Sequence, residues 1–267
     1  MHTPPFEEQQ RRNRQSREAW ALFAPHRARV TELIVRQIER LGKRGQARVA
    51  VLGAGNLNDL DLQQLAPACE SLDLIDLDGE ALADGLARQS PALIERVRLR
   101  GGVDLSRTNL NEVVGAATAL DSTSRFDVVA STCLLSQLLE PLVTAPSAGQ
   151  PLPLDAIQSL RQRHVQSILA GLKPGGQGLL ITDVVSSVTC ESLATTQPAD
   201  LPGLLQRLIA QRNFFTGLNP RMIEQMLRTA PGVADRIATL ETLDPWLWNL
   251  GPRMYLVCGW RMEASAR

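Results

Sequence analysis

From residue 47 onward, short apolar runs alternate with longer segments whose apolar residues recur every three or four positions. Such runs are typical of buried strands, and such segments are typical of amphipathic helices. The alternation therefore predicts βαβ units and a mostly parallel sheet with helices on both faces. The predicted strands cover 47–53, 71–76, 97–101, 126–131 and 176–185, and the predicted helices cover 58–68, 79–89, 107–119 and 155–172.

The first 45 residues depart from this alternation because they are basic and helical in character. Apolar residues recur at helical spacing over 16–45, and Pro25 is expected to divide this segment into two helices. We consider three interpretations, in decreasing order of weight: a solvated basic face over an apolar stripe, a lid over a ligand site, and an arm that grips nucleic acid.

The end of the chain also differs. A helix is predicted over 219–230, with Asn219 as its N-cap and Pro220 at its first position. Two long β-like runs follow within 236–262. They predict a hairpin that adds one strand antiparallel to the rest of the sheet.

Composition argues against several classes of function. The 267 residues carry 28 basic and 28 acidic side chains, so no net charge draws the chain to nucleic acid or to a membrane surface. No apolar run approaches the roughly 20 residues of a membrane-spanning helix. The four cysteines are scattered and there are three histidines, so no metal site is expected. These features predict a soluble, cytoplasmic protein.

The stretch VLGAGNLNDLDL at 51–62 combines an apolar strand, a Gly-x-Gly turn at Gly53 and Gly55, and the start of a predicted helix. Such turns usually place a phosphate at the helix N-terminus. Here Asp59 and Asp61 are expected in the first helical turn. A carboxylate about 4 Å from a phosphate opposes binding by roughly 1 kcal/mol in water, and by roughly 4 kcal/mol at an effective dielectric constant near 20.

Two interpretations of these acids remain open. Acids stabilise helix N-termini in themselves, by about 0.3–1 kcal/mol each. Alternatively, the ligand carries an adenosine and has positive charge where a dinucleotide has phosphates. S-adenosylmethionine is such a ligand, because it has a sulfonium and an ammonium group.

The ends of the second and third predicted strands carry acids that suit an adenosine. Asp76, with Leu77 beside it, is expected to accept hydrogen bonds from both ribose hydroxyls. Asp78 lies one step beyond and is a candidate helix cap instead. Asp104 is expected to accept from the adenine amine and Leu105 to pack on the ring, with an ordinary turn aspartate as the alternative.

The ordered set of these pieces resembles the class I S-adenosylmethionine-dependent methyltransferases, over roughly residues 45–262. The matching segments are VLGAGN at 51–56, LIDLD at 74–78, GVDLS at 102–106, FDVVASTCLLSQLL at 126–139, LKPGGQGLLITD at 172–183 and the hairpin at 236–262. The resemblance implies a three-layer αβα sandwich around a seven-stranded, mostly parallel sheet of order 3-2-1-4-5-7-6 with an antiparallel last strand. We therefore expect a helical extension over 1–45, a candidate lid, and a methyltransferase-like domain over 46–267.

The resemblance also implies roles for individual residues. It assigns the methionine part of the cofactor to Gly53, Ala54, Gly55 and Asn56, the ribose to Asp76, the adenine to Asp104 and Leu105, and the sulfonium to Ser131 and Thr132. Leu57 departs from the pattern because it replaces the third glycine. Asn58 and Asp59 then either contact the methionine end directly, or Asp59 serves only as a cap.

Methyl transfer from a sulfonium needs an aligned nucleophile and does not always need a general base. Asp183, Cys133 and His26 are weak candidates for catalysis. Cys133 is more often a buried small residue than a nucleophile. His164 lies in the middle of a predicted helix and is expected to be structural.

The acceptor is expected to be a small molecule that contacts Gln137, Phe214 and Phe215, although the two phenylalanines suit an anchor for the helix at 219–230 equally well. The segment STCL at 131–134 lacks the Asn-Pro-Pro-Tyr type of motif found in methyltransferases that act on DNA bases or glutamine.

Two other functions remain open. The first is an NAD(P)-dependent oxidoreductase, although Tyr255 is the single tyrosine and lies in the closing hairpin. The second is a non-catalytic module that keeps the methyltransferase fold and binds a partner.

Overall fold

A computed structural model describes residues 5–89, 95–107, 110, 125–144 and 151–266. Seven strands form one sheet in the order β3-β2-β1-β4-β5-β7-β6, as the sequence predicted. Strands β1 to β5 pair in parallel, and β7 pairs antiparallel with both β5 and β6. The strands are β1 (Ala47–Leu52), β2 (Cys69–Ile75), β3 (Val97–Arg100), β4 (Phe126–Thr132), β5 (Leu172–Ser186), β6 (Ile237–Asn249) and β7 (Met254–Ala264).

Helices cover both faces of this sheet, and each face has its own apolar core. Helices α2, α3 and α4 pack on one face, and α5 to α8 pack on the other. β4 lies at the centre and is buried along its whole length, as parallel strands covered on both faces are. The helices are α1 (Pro5–Ser16), α2 (Ala24–Arg40), α3 (Leu62–Ala68), α4 (Gly79–Gln89), α5 (Leu134–Thr144), α6 (Leu154–Gly171), α7 (Leu201–Ala210) and α8 (Pro220–Thr229).

The start of α3 corrects the sequence prediction. The helix begins at Leu62 and not at residue 58, because Asp61 is its N-cap and accepts hydrogen bonds from the amides of Gln63 and Gln64. Asp59 therefore lies in the preceding turn and outside the helix. Leu57 in that turn has a φ of 59°, so the residue that replaces the third glycine still adopts the left-handed conformation that favours glycine.

The N-terminal segment also differs from its prediction. Its first helix, α1, ends at Ser16, before the segment 16–45 in which both helices were expected. Pro25 does not divide a helix, because it lies in the first turn of α2, where a proline is tolerated.

Two helices were missed. α5 follows β4 directly and contains Pro141, and α7 begins with a proline and a glycine that resemble a loop. β5 is longer than predicted and begins at Leu172. Most of the helix predicted at 107–119 lies outside the described residues.

The closing elements agree with the sequence. Asn219 caps α8 by accepting a hydrogen bond from the amide of Arg221, with Pro220 at the first position. The hairpin of β6 and β7 completes the sheet. Within the described ranges, no helix combines the length and the apolar character that crossing a membrane requires.

Candidate functional site

A cleft of about 580 Å³ opens at the carboxyl edge of the sheet, where ligands bind in open α/β folds. Its walls come from the loops after β1, β2 and β3 and from α1, α5 and α6. Six residues assigned from the sequence line it: Gly53, Asp76, Leu77, Asp104, Leu105 and Gln137. Its volume lies within the range of small-molecule sites, about 300–1,000 Å³.

The glycine turn brings the backbone close to both the cleft and Asp76. Gly53 has a φ of +77°, and a Cβ added to it would lie 2.7 Å from the Cβ of Leu134. Gly55 has a φ of +47°, and its amide donates a hydrogen bond to Oδ2 of Asp76 over 2.8 Å. Both conformations therefore favour glycine, and the close contact at Gly53 leaves no room for a Cβ there.

Asp76 is buried at the tip of β2. Its Oδ1 accepts from the amide of Asp78 over 2.9 Å, and its Oδ2 accepts from Gly55. Burial raises the pKa of Asp76 to about 6, although these backbone hydrogen bonds act in the opposite direction. At neutral pH the group is thus a carboxylate, which accepts hydrogen bonds and donates none.

The end of the cleft after β3 is partly polar and partly apolar. Oδ1 of Asp104 accepts from the amide and the hydroxyl of Ser106, at 3.0 and 2.5 Å, and so closes a local turn. Leu105 is buried beside it. Leu138 and Leu160 extend the apolar wall between α5 and α6. This end suits a flat apolar group with a polar edge.

Two asparagines of the turn contact the N-terminal segment and do not line the cleft. Nδ2 of Asn56 donates to the carbonyl of Asn13 over 2.6 Å, and Nδ2 of Asn58 donates to the carbonyl of Ser16 over 2.7 Å. Ala54 is buried in the apolar core and does not line the cleft either. The asparagines assigned to the methionine part therefore hold the end of α1 in this structure.

Helix α1 lies across the cleft. Gln9 contributes to its wall, and Nδ2 of Asn13 donates to Oδ2 of Asp78 over 3.0 Å. Arg12 forms an ion pair with Glu140 of α5 on the opposite side. The sequence pattern did not identify these residues, because their partners are distant in the chain.

Ser131 and Thr132, assigned to the sulfonium, point elsewhere. The hydroxyl of Ser131 lies 2.8 Å from Nε2 of His164 on α6, and both residues are buried. The hydroxyl of Thr132 donates to the carbonyl of Gly53 over 3.3 Å. Their contacts therefore join β4 to α6 and to the glycine turn.

A polar group lies where β4 ends beside β5. The hydroxyl of Ser136 donates to Oδ1 of Asp183 over 2.6 Å. Burial raises the pKa of Asp183 to about 6, and it raises the pKa of the Cys133 thiol well above its usual value. Nε2 of Gln137 donates to the carbonyl of Cys133, and its Oε1 is buried without a hydrogen-bond partner in the described part of the chain.

His26 lies between Trp246 and Asp59, away from the cleft lining. The indole N–H of Trp246 donates to Nδ1 of His26 over 3.0 Å, and Nε2 of His26 lies 3.5 Å from Oδ1 of Asp59. Burial lowers the pKa of His26 to about 3 and raises that of Asp59 to about 7. Since an indole nitrogen can only donate, the neutral imidazole carries its proton on Nε2, and its lone pair is engaged.

The two phenylalanines assigned to the acceptor have different surroundings. The amide of Phe215 donates to the carbonyl of Val184 over 2.7 Å, and its ring lies 6.2 Å from that of Tyr255. Tyr255 in turn lies 5.4 Å from the ring of Trp248. Phe214 is half-buried and does not line the cleft.

Comparison with known proteins finds similarity at the level of the fold. No protein-family model matches the sequence, and no curated protein matches it. The solved structure of the YcgJ protein from Bacillus subtilis aligns with 89% of this chain and 99% of its own, at a TM-score of 0.51 and 11% identity.

Two further structures align at lower scores. The N-methyltransferase NodS from Bradyrhizobium japonicum, in complex with S-adenosyl-L-homocysteine, aligns over 89% of this chain and 86% of its own, at a TM-score of 0.45 and 11% identity. The arsenic(III) S-adenosylmethionine methyltransferase CrArsM from Chlamydomonas reinhardtii aligns over 83% of this chain and 64% of its own, at a TM-score of 0.45 and 16% identity. Of these three alignments, only that with YcgJ is close enough to support the fold.

The order of the seven strands and the antiparallel pairing of β7 are those that the resemblance implied, and the alignment to YcgJ supports the same overall fold. The chain therefore has the Rossmann-like fold of the class I S-adenosylmethionine-dependent methyltransferases.

Proposed function

We propose that the chain is an S-adenosylmethionine-dependent methyltransferase that acts on a small molecule. The fold is compatible with this activity and also with other nucleotide-dependent functions. The choice of cofactor therefore depends on the chemistry of the cleft.

The hydrogen bonds at the start of α3 decide between a cofactor with a phosphate at this turn and one without. Asp61 accepts hydrogen bonds from the amides of Gln63 and Gln64, at 3.0 and 3.3 Å, and the amide of Leu62 donates to Oε1 of Gln89 over 2.9 Å. These first amides of the helix are the groups that would bind a pyrophosphate in a dinucleotide site. Because they already have partners within the chain, the turn favours a ligand without phosphate there.

The residues of the cleft fit the proposed cofactor. The glycine turn allows a close approach of the backbone, Asp76 offers a buried acceptor for ribose hydroxyls, and Leu105 and Leu138 offer apolar surface for adenine. The unpartnered Oε1 of Gln137 offers an acceptor for an ammonium group. When bound, S-adenosylmethionine supplies an electrophilic methyl group.

The side chains of this protein orient the cofactor and exclude water. Asp76 orients the ligand, α1 covers it and limits the entry of water, and Ser136 fixes the carboxylate of Asp183. Asp183 and Cys133 are buried below α5, which supports a small acceptor, because a macromolecular surface does not reach such depth.

Ligand binding tests the cofactor assignment. Thermal unfolding would be measured with S-adenosylhomocysteine, NAD and NADP separately, for the wild type and for the Asp76→Asn variant. A ligand at 100 times its Kd stabilises by about 2.7 kcal/mol, which raises the Tm by roughly 5–10 °C at this size. The control is Asp84→Asn, because Asp84 is half-exposed on α4 and pairs with Arg17.

We expect a shift with S-adenosylhomocysteine alone, lost in Asp76→Asn and retained in Asp84→Asn. A shift with NAD or NADP alone would overturn the proposal in favour of an oxidoreductase. No shift with any of the three would instead favour a non-catalytic module with this fold.

A further inference from the structure

Two carboxyl groups lie near one another beyond the cleft: that of Asp183 is buried, and that of Asp59 is 15% exposed. Asp59 follows β1 and Asp183 lies in β5, and the thiol of Cys133 is close to both. Burial is the main cause of the raised pKa of each acid; for Asp59 the charge of Arg27 lowers the pKa and the charge of Asp183 raises it. Two acids held together away from water favour the arrival of a cation.

The nearby cations of the protein are engaged elsewhere. Arg12 donates to Glu8 and Glu140, and Arg27 donates to the carbonyls of Trp20 and Asn58. Among the hydrogen bonds of the described residues, neither Asp59 nor Asp183 accepts from an arginine or a lysine. His26 is neutral because burial lowers its pKa to about 3, and the N–H of Trp246 engages its lone pair. Neither acid therefore has an arginine or a lysine in direct contact, although the charge of Arg27 acts on Asp59 and that of Arg12 on Asp183 from a distance.

A row of aromatic rings flanks the acids. β5 places Asp183 opposite Val257 and Ser186 opposite Tyr255 on β7. Tyr255 packs against Trp248 and Phe215, with ring centres 5.4 and 6.2 Å apart. Faces of such rings attract cations.

Three buried polar atoms of this region have no hydrogen-bond partner in the described part of the chain: Oδ1 of Asp59, Nε2 of His26, which lies 3.5 Å from that oxygen, and Nε1 of Trp248. Trp248 is 9% exposed, so its indole N–H is withdrawn from water as well. Buried polar groups in native proteins are normally satisfied. These atoms therefore indicate a region that is completed by a ligand.

We propose that Asp59, Asp183, Phe215, Trp248 and Tyr255 form an acidic–aromatic site that binds the methyl acceptor as an alkylammonium ion with an apolar body. The inference rests on the proposed methyltransferase function and names the substrate class of the same enzyme. The ammonium group pairs with Asp183, and the apolar body lies along the aromatic row.

The position of this site suits the reaction. Ser136 and Gln137 are consecutive in α5, and Ser136 holds Asp183 while Gln137 lines the cleft. The acceptor nitrogen is thus placed beside the cleft. A proton passes from the ammonium nitrogen to the carboxylate of Asp183, which leaves a neutral amine with a free lone pair and a neutral carboxyl group.

Two probes of matched shape test the site. Benzylamine and benzyl alcohol would be titrated by calorimetry into the protein saturated with S-adenosylhomocysteine. We expect benzylamine to bind at least tenfold more tightly than benzyl alcohol. In Asp183→Asn this preference is lost, while the affinity for S-adenosylhomocysteine changes less than threefold. The matched control Asp155→Asn removes an exposed acid at the start of α6 and keeps the preference.

A second variant keeps the test decisive if Asp183→Asn does not fold. Tyr255→Leu removes one ring of the aromatic row. We expect this variant to lower the affinity for benzylamine by a factor at least threefold larger than the factor for benzyl alcohol. A different outcome is that the wild type binds S-adenosylhomocysteine and yet binds both probes equally or binds neither. That result would overturn the inference of an acidic–aromatic site and leave the proposed function standing. If Asp183→Asn instead weakens S-adenosylhomocysteine tenfold, the carboxylate serves the cofactor and the inference is wrong. Failure of the wild type to bind S-adenosylhomocysteine would overturn the proposed function together with it.

Discussion

The indole nitrogen of Trp246 donates a hydrogen bond to Nδ1 of His26, and this bond fixes the charge state of a buried pair. His26 keeps its proton on Nε2, which lies 3.5 Å from Oδ1 of Asp59. Protonation of His26 would require its Nδ1 to give up the bond from Trp246. His26 therefore stays neutral. The Asp59 carboxyl has no arginine or lysine in direct contact, and the charge of Arg27 only partly offsets the effect of burial on its pKa.

This arrangement predicts the pH dependence of stability through Asp59. Its pKa is raised from 3.8 to about 7 in the folded protein, so the folded state holds a proton that the unfolded state releases. The associated stability is present below pH 4 and is lost as the pH rises through about 7. In Asp59→Asn this loss disappears. We expect the variant to gain on the order of 2 kcal/mol relative to the wild type between pH 5 and pH 8, measured as Tm by calorimetry. A constant difference across this range would contradict the assignment.

Asp76 predicts the pH dependence of cofactor binding. Its pKa is about 6 in the free protein, and hydroxyl donors bind the carboxylate better than the protonated acid. The affinity for S-adenosylhomocysteine should therefore be constant above about pH 7 and fall below pH 6, by up to about tenfold per pH unit. Calorimetry at pH 5.0 to 7.5 measures this slope, and Asp84→Asn should reproduce it. An affinity that does not change with pH would show that Asp76 does not contact the ligand through its charged form.

The sequence predicted the strands well because each depends on a local pattern, whereas the order of the strands in the sheet was implied by the resemblance to class I methyltransferases. The central strands are continuous apolar runs, and Gly53, Gly55 and Asp76 follow such runs at the edge where ligands bind. The boundary of α3 failed because Asp59 and Asp61 both suit a helix N-terminus, and only the capping contacts of Asp61 decide between them.

Other parts of the site depend on contacts between distant residues. The bond from Asn13 to Asp78 joins positions 65 apart in the chain, and Arg12 and Glu140 are 128 apart. No periodic pattern encodes such pairs. The same holds for Ser136 and Asp183, which meet only because β4 and β5 are neighbours in the sheet.

Helix α1 is predicted to act as a lid that slows release of the cofactor. The side chain of Asn13 donates a hydrogen bond to Asp78 and so joins α1 to the loop after β2. The backbone carbonyl of Asn13 accepts a hydrogen bond from the side chain of Asn56. Asn13→Ala should therefore increase the dissociation rate of S-adenosylhomocysteine by about tenfold or more, because one hydrogen bond to a charged group contributes about 1.5–3 kcal/mol. Stopped-flow fluorescence measures this rate. Arg14→Ala is the control, since Arg14 is exposed on the same helix. Equal rates in both variants would rule out a lid function for this contact.

Gly53 is predicted to be the least replaceable residue of the turn, and the chain offers a matched comparison. Gly42 has a similar φ of +64°, but a Cβ added there meets no atom within 4 Å, whereas at Gly53 it would lie 2.7 Å from the Cβ of Leu134. Gly42→Ala should cost about 1–2 kcal/mol for the left-handed conformation alone. Gly53→Ala bears the same conformational cost and must also displace α5, so we expect a loss at least about 1–3 kcal/mol larger. Urea unfolding compares the two, and S-adenosylhomocysteine titration of the folded fraction should show lost affinity in Gly53→Ala alone. Equal destabilisation would mean that the contact with Leu134 relaxes freely, and that the turn is not held against α5.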